Sequence, residues 1–300
     1  MKQTVLAIIG PTASGKSKFG MALAEQLQGE IISCDSVQVY KDFDLGSAKP
    51  SREEQEEIPH HLIDVVSWKE TFDAARYREL ALQTIADIQS RKKTPIIVGG
   101  TGLYFRALCG DQFHDLPSDP SLRKELESWS LEQLRQKLNA LDPERSQQIH
   151  DNDRFRLSRA CEITMLTGMT LKELAQLKST QALQPFTMLC NPPREALLKN
   201  IEARSELMLT QGLIDEVRKL KNQGCPPSAK PMQSIGYKQV CDFLDGHIKE
   251  EDLLEKIVIA TRQYARKQMM WFRKTPVDRE LKDLSHCSET LKIILKSFQK

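Results

Sequence analysis

A chain of 300 residues, 40% hydrophobic and 28% charged, is long enough for one large core and a second lobe. Its 43 basic residues nearly balance 41 acidic ones, for a net charge of +2, which excludes a bulk polycation and leaves any nucleic-acid signal to local charge distribution. Seven cysteines, odd in number and without a C-x-x-C pair, argue against a disulfide framework or a zinc site, and no apolar run approaches the roughly 18 residues of a membrane span. With no signal-peptide layout at its N-terminus, the chain is expected to be cytoplasmic, with no membrane partner.

In chain order, Val5-Ile9 reads as a buried strand and Ser17-Leu27 as an amphipathic helix. Glu30-Cys34 is a second strand, Phe72-Arg91 a helix with apolar residues at helical spacing, and Thr94-Val98 a third strand closed by Gly99-Gly100. This alternation predicts an α/β fold with a parallel sheet and flanking helices. The texture then changes: the next stretch is charged, helically periodic, and contains no convincing strand until Pro185-Cys190. The expected organisation is an α/β P-loop core domain over residues 1–111 and 184–300, with an all-helical insertion domain over 112–183. After Cys190 the chain reads as mostly helical to its end.

Between the first strand and the first helix lies Gly10-Pro11-Thr12-Ala13-Ser14-Gly15-Lys16-Ser17, which is G-x-x-x-x-G-K-[ST] in the required strand-to-helix context. Glycines let such a loop turn backbone N–H groups inward on phosphate oxygens, and the helix N-terminus adds positive potential. Lys16 contributes a point charge, and Ser17 a hydroxyl suited to Mg²⁺. The ordinary nucleotide partners are not supported. There is no N-K-x-D base-reading motif, and the strand Thr94-Val98 runs into glycines rather than into a metal-binding Asp. The strand that does end in Asp is Glu30-Cys34, which puts Asp35 at the C-terminal rim of a parallel sheet, the edge where the P-loop also sits. Asp35 is then either a metal-shell carboxylate of a kinase-like enzyme or a general base for a second substrate.

Beyond the P-loop, CDSVQVYKDFDLGSAKP (Cys34-Pro50), PHHLID (Pro59-Asp64) and GGTGLYFRAL (Gly99-Leu108) resemble the tRNA dimethylallyltransferase family, also called tRNA isopentenyltransferases. NDRFRLSRACEI (Asn152-Ile163), SIGYKQ (Ser234-Gln239) and TRQYARKQMMWFR (Thr261-Arg273) extend the resemblance over nearly the whole chain, in the family's order. The resemblance implies that the P-loop residues Gly10, Pro11, Thr12, Ala13, Ser14, Gly15, Lys16 and Ser17 grip the pyrophosphate of dimethylallyl diphosphate, with Mg²⁺ near Ser17. The prenyl group is then expected to pass to the exocyclic N6 amine of the adenosine 3′ to a tRNA anticodon.

The chemistry suits that assignment. An allylic diphosphate ionises readily, so the need is for preorganised charge on the departing pyrophosphate, which Lys16 and the loop amides supply. The adenine amine is a poor nucleophile, and a carboxylate accepting its proton is worth about 10²–10⁴-fold. Asp35 is the candidate base, with Lys16 and Thr101 as the other catalytic candidates. Family matching also assigns Asp35, Ser36, Val37, Gln38 and Thr101 to tRNA contact, where the Gln38 amide would pair with an adenine edge held outside the stack.

Two basic surfaces complete the expectation. In Thr261-Lys274 there are five basic and no acidic residues; on a helix Arg262, Arg266 and Arg273 fall within about 40° of one another, with Trp271 opposite. Such a stripe suits a phosphate backbone. In the insertion, family matching assigns Phe155, Arg156, Leu157, Ser158 and Arg159 to tRNA, and Arg123 to closure on the extruded base. His60-His61 lacks the companions of a metal set and reads as structural. Only His286 and Cys287 in the tail could join a C₂H₂ finger, so the short bacterial form without a zinc finger is expected, as a monomer. Three alternatives stand beside this reading: an adenylate isopentenyltransferase acting on free AMP, ADP or ATP, a small-molecule kinase, and an RNA-binding module.

Overall fold

The computed structural model describes residues 4–110, 116–176 and 182–282. His286 and Cys287 of the tail lie outside them. The chain forms two compact units, Met1–Cys109 with Gln184–Lys300, and Gly110–Leu183.

The larger unit is built on six strands: β1 (Leu6–Ile9), β2 (Gly29–Cys34), β3 (His60–His61), β4 (Thr94–Gly99), β5 (Phe186–Cys190) and β6 (Arg279–Leu281). All pair in parallel, in the spatial order β3-β2-β4-β1-β5-β6. β1 and β2 are continuous buried runs because both of their faces are covered. β6 adds a strand where the sequence reads as helical. It is three residues long, too short to show a period, and is recruited by pairing Met188–Cys190. β3 is the histidine pair, placed by its register with Ile31 and Ile32; the His61 ring meets the buried Glu30 carboxylate at 2.7 Å.

Around the sheet run α1 (Lys16–Leu27), α2 (Arg52–Glu57), α3 (Ala74–Ser90) and α4 (Gly102–Cys109). α3 starts two residues later than its apolar period suggests, because Asp73 caps it through the Arg76 amide. Phe19, Leu23 and Ala24 of α1 close one core over Leu6, Ile8, Ile96 and Val98.

The smaller unit contains α5 (Pro120–Ser128), α6 (Leu131–Leu141), α7 (Pro143–Gln148), α8 (Arg154–Thr167) and α9 (Leu171–Gln176), with no strand among its described residues. Its starts are written locally: Asp119 and Asp142 cap helices opening on proline, and Ser130 with Gln133 forms a capping box. Leu126, Leu134, Leu138, Ile149 and Leu157 make its core.

The larger unit then finishes with α10 (Arg194–Thr210), α11 (Leu213–Asn222), α12 (Tyr237–Leu244) and α13 (Glu250–Phe272). Among the described residues no helix is long and apolar enough to cross a membrane.

Candidate active site

Strand register builds the rim. Gly99 pairs with Ile9 on one side and Cys34 on the other, so Gly10, Gly100 and Asp35 leave the sheet in one row. β4 lies between the P-loop strand and β2, which puts Asp35 two strand spacings, about 10 Å, from β1 rather than on its immediate neighbour. The row is tight. A Cβ on Gly99 would come within 2.1 Å of the Cys34 carbonyl, and one on Gly10 within 2.6 Å of the Cys190 carbonyl.

The P-loop passes from Gly10 into α1, whose cap, Gly15, lies in the left-handed region at φ 86°. No side chain caps that helix and no acidic residue sits in its first turn, so its positive end is left for an anion. Ser14 Oγ is buried with no hydrogen-bond partner among the described residues. Lys16 turns its Nζ back to the Pro11 carbonyl at 3.2 Å. Desolvation, and secondarily the nearby Arg204 cation, lowers its pKa to about 8. Burial also lowers the pKa of Arg204, with the Asp35 carboxylate acting in the opposite direction. Two desolvated cations face one carboxylate here, which is the electrostatics of a polyanion site.

Three residues from remote helices shape the loop: Arg204 and Asn200 lie in no motif, and Gln268 lies in the Thr261-Arg273 run, where the basic residues stand out. Arg204 of α10 donates to Thr12 Oγ1, and Asn200, one turn earlier, donates to the Ala13 carbonyl at 3.1 Å. Gln268 of α13 accepts from the Thr12 amide at 2.9 Å and donates to the Gly100 carbonyl at 2.8 Å. Thr261, Tyr264 and Gln268 are three and four residues apart, hence on one face of α13, and Thr261 and Gln268 are buried. A polar stripe on the buried side of a helix was the available signal; the basic stripe on the other side masks it.

Asp35 Oδ1 accepts from the amides of Val37 at 2.8 Å and Gln38 at 3.3 Å, an Asx turn. One carboxylate oxygen therefore shapes the backbone, while Oδ2 makes no hydrogen bond among the described residues. Thr101 accepts from the Ser36 amide at 3.0 Å, and its own amide donates to the Cys34 carbonyl at 3.1 Å, tying the ends of β2 and β4 together. Burial pushes the adjacent Cys34 thiol up to about 12, so it is an inert core thiol.

These groups border two cavities. The smaller, about 70 Å³, is lined by Lys16, Ser17, Asp35, Gly99 and Arg204 among others. The larger, about 320 Å³, opens between Asp35, Ser36, Gly46, Ser234, Gly236 and Tyr264. Asp35, Thr12 and Arg204 belong to both walls. Among the described residues, the one hydroxyl oxygen at the P-loop end of the smaller cavity suited to Mg²⁺ is that of Ser17. No group of three or more His, Cys, Asp or Glu able to hold a metal exists among the described residues. A lone Ser17 hydroxyl beside a phosphate cradle suits an ion that keeps waters and takes substrate oxygens.

Two expectations need correction. The Gln38 amide is fully committed to the protein, accepting from Ser33 Oγ at 2.8 Å and donating to the carbonyls of Ser47 and Ala48 at 3.3 and 3.0 Å. It pins a loop and does not present a free edge to an adenine. Leu157 is fully buried in the core of the smaller unit, so its side chain makes no RNA contact.

Its neighbours differ. Phe155 is 81% exposed and Arg156, paired with Asp153 at 3.0 Å, is also exposed. Arg159 and Arg123 both bind the buried Glu162 carboxylate, at 2.6 and 2.9 Å, and Ser158 is half-buried. On α13, Arg262 and Arg266 are exposed, Arg262 lying 3.6 Å from Glu202 of α10; Arg273 is exposed just beyond the helix end. Trp271 packs against Gly102 and Phe272.

Residues 38–275 match the family model described as IPP transferase, a segment that begins after the P-loop. The tRNA dimethylallyltransferase of Geobacter metallireducens is 42% identical over 280 residues, covering 91% of this chain and 90% of that protein. That of Geobacillus thermodenitrificans is 39% identical over 285 residues, covering 93% and 90%. Among solved structures, a eukaryotic dimethylallyltransferase acting on tRNA superposes with a TM-score of 0.87 at 29% identity, over 99% of this chain and 79% of that one. The tRNA isopentenylpyrophosphate transferase of Staphylococcus epidermidis gives 0.71 at 34% identity, over 99% of each. With a P-loop facing an Asp-bearing rim, and relatives matched along nine-tenths of its length, this chain belongs to the IPP transferase family.

Proposed function

We propose that this chain is a tRNA dimethylallyltransferase, moving the dimethylallyl group of dimethylallyl diphosphate to the N6 amine of the adenosine 3′ to a tRNA anticodon and releasing pyrophosphate. The observation that carries this reading is the Lys16–Arg204 cation pair at the P-loop, opening beside Asp35 onto a second, larger cavity. A polyanion seated there has its alkyl end at the wall the two cavities share, where a base entering the larger one meets it.

In that arrangement the amine nitrogen forms a bond to C1 of the donor as the C1–oxygen bond breaks, and the electron pair leaves with pyrophosphate. Lys16, Arg204 and the α1 N-terminus stabilise the charge that builds there. Asp35 takes the amine proton on Oδ2 while Oδ1 keeps the turn, and Thr101 orients the Asp35-Ser36 segment from the end of β4. When bound, Mg²⁺ supplies further neutralisation of the departing pyrophosphate, and Ser17 is the residue to hold it. Arg262, Arg266 and Arg273 on and just beyond α13, with Arg123, Phe155, Arg156, Ser158 and Arg159 in the smaller unit, are the proposed tRNA contacts. The protein is expected to act as a monomer in the cytoplasm.

The test offers radiolabelled dimethylallyl diphosphate and Mg²⁺ with unmodified tRNA, with AMP, or with neither, beside γ-labelled ATP. Label entering tRNA alone supports the assignment. Label entering AMP makes the enzyme an adenylate prenyltransferase, and phosphoryl transfer from ATP makes it a kinase. Loss of transfer on chelation, restored by Mg²⁺, tests the metal.

A further inference from the structure

Residues 41–49 have no regular secondary structure, yet Gly46, Ser47 and Ala48 form one wall of the larger cavity. The wall made by Ser234, Ile235 and Gly236 belongs to a different segment, entering α12. One side chain holds both. Glu216 of α11 accepts from the Leu45 amide through Oε2 at 2.9 Å, and through Oε1 from the Asp44 amide at 3.2 Å and the Tyr237 hydroxyl at 2.5 Å. Tyr237 follows Gly236 directly, so its hydroxyl fastens the second wall to the carboxylate that fastens the first.

The packing leaves no slack. The Tyr237 ring is fully buried and lies 4.9 Å from the Phe43 ring, centroid to centroid. A Cβ on Gly46 would come within 2.4 Å of the Tyr237 ring, so the loop backbone lies directly against it. Burial, and then Glu216 itself, holds the Tyr237 phenol far above its ordinary pKa, which keeps it a proton donor to the carboxylate. Glu216 makes no ion pair among the described residues; its charge is met by two backbone amides and a phenol. From the loop the connection continues inward. Ser47 and Ala48 hold the Gln38 amide through their carbonyls, and the Gln38 backbone amide is held by Asp35.

We propose that Glu216 is a positioning residue for prenyl transfer: by clamping residues 44–45 and Tyr237 together it sets the width of the acceptor cavity and steadies the turn bearing Asp35. It touches neither donor nor acceptor in this arrangement. The inference rests on the reading of the larger cavity as the acceptor site.

The test is steady-state kinetics of full-length Glu216→Gln and Tyr237→Phe, singly and combined, with both substrates varied. The Gln amide cannot accept on its nitrogen, so at least one of the three donors loses its partner: Leu45 if the nitrogen takes the Oε2 place, Asp44 and Tyr237 if it takes the Oε1 place. The efficiency with tRNA (kcat/KM) is expected to fall about tenfold in Glu216→Gln, with the donor KM within about twofold of wild type. Tyr237→Phe is expected to shift the same parameter by less, and the double variant to be no worse than Glu216→Gln alone, because both act through one clamp. Unchanged tRNA kinetics in both single variants, measured well below their unfolding midpoints, overturns the inference. A parallel rise of both KM values overturns it too, because that is general loosening. A wild-type enzyme that leaves tRNA unlabelled overturns the parent reading instead.

Discussion

Gln268 accepts the backbone N–H of Thr12 at 2.9 Å across 256 residues of sequence, so the last long helix of the larger unit fastens the middle of the phosphate loop. The same amide donates to the Gly100 carbonyl at 2.8 Å. It thus spans the P-loop and the turn after β4, the two segments that flank the proposed leaving group.

Gln268→Leu leaves a loop amide and a carbonyl without partners in a buried setting, at a cost of about 1–3 kcal/mol. The expected result is an unfolding midpoint lowered by several degrees, together with weaker binding of an unreactive thiodiphosphate analogue of the donor. Thermal unfolding and calorimetric titration measure the two effects; a stability loss with donor affinity unchanged would confine Gln268 to folding.

Lys16 titrates near 8 in the free protein against 10.5 in an unfolded chain. The unfolded chain binds more protons between those values, so the cost of the buried charge is fully present below about pH 8 and relieved as pH rises toward 10.5. A bound diphosphate restores the proton. Lys16 is therefore expected to take up close to one proton when the donor analogue binds at about pH 9, and almost none at about pH 6.5. Calorimetry in buffers of different ionisation enthalpy reads this directly, and Lys16→Met should abolish the uptake.

Because Asp35 Oδ1 holds the Asx turn, Asp35→Asn is the informative variant: its side-chain oxygen can keep the turn, but it cannot take a proton. Single-turnover rates are expected to fall by about 10²–10⁴-fold with tRNA affinity within a few-fold of wild type. Equal losses in rate and affinity would make Asp35 a tRNA-positioning residue.

Charge reversal at Arg266 and Arg273 is expected to weaken tRNA binding. It should also flatten the dependence of log Kd on log salt by about 0.7–0.9 for each phosphate no longer neutralised. Arg262, already 3.6 Å from Glu202, should contribute less. An unaltered slope in the double variant would return this face of α13 to ordinary solvated surface.

The parts of the site legible in the sequence are those whose cause is local. A glycine-lysine loop between an apolar run and an amphipathic segment names a phosphate cradle, and a strand ending in Asp35 points to the same rim. Gln38 misleads for a related reason: the sequence shows an amide beside a candidate base, while its partners Ser47 and Ala48 are brought back by a turn no motif marks. Leu157 sits within a matched run of RNA-contact candidates, and only the packing of α8 against α6 shows that it faces the core.

The sequence by itself determined the α/β class and the phosphate loop and pointed to Asp35 and the basic stripe of Thr261-Lys274, because strand and helix periods and glycine turns act between near neighbours in the chain; the basic surface of the insertion rests on family matching. The tertiary structure alone decided that β4 stands between β1 and β2. It alone brought Arg204, Gln268 and Glu216 to the P-loop, its flanking turn and the cavity wall from helices remote in sequence. Those placements follow from which surfaces of the whole chain bury one another, and burial between segments some 170 to 256 residues apart leaves no period or spacing to read.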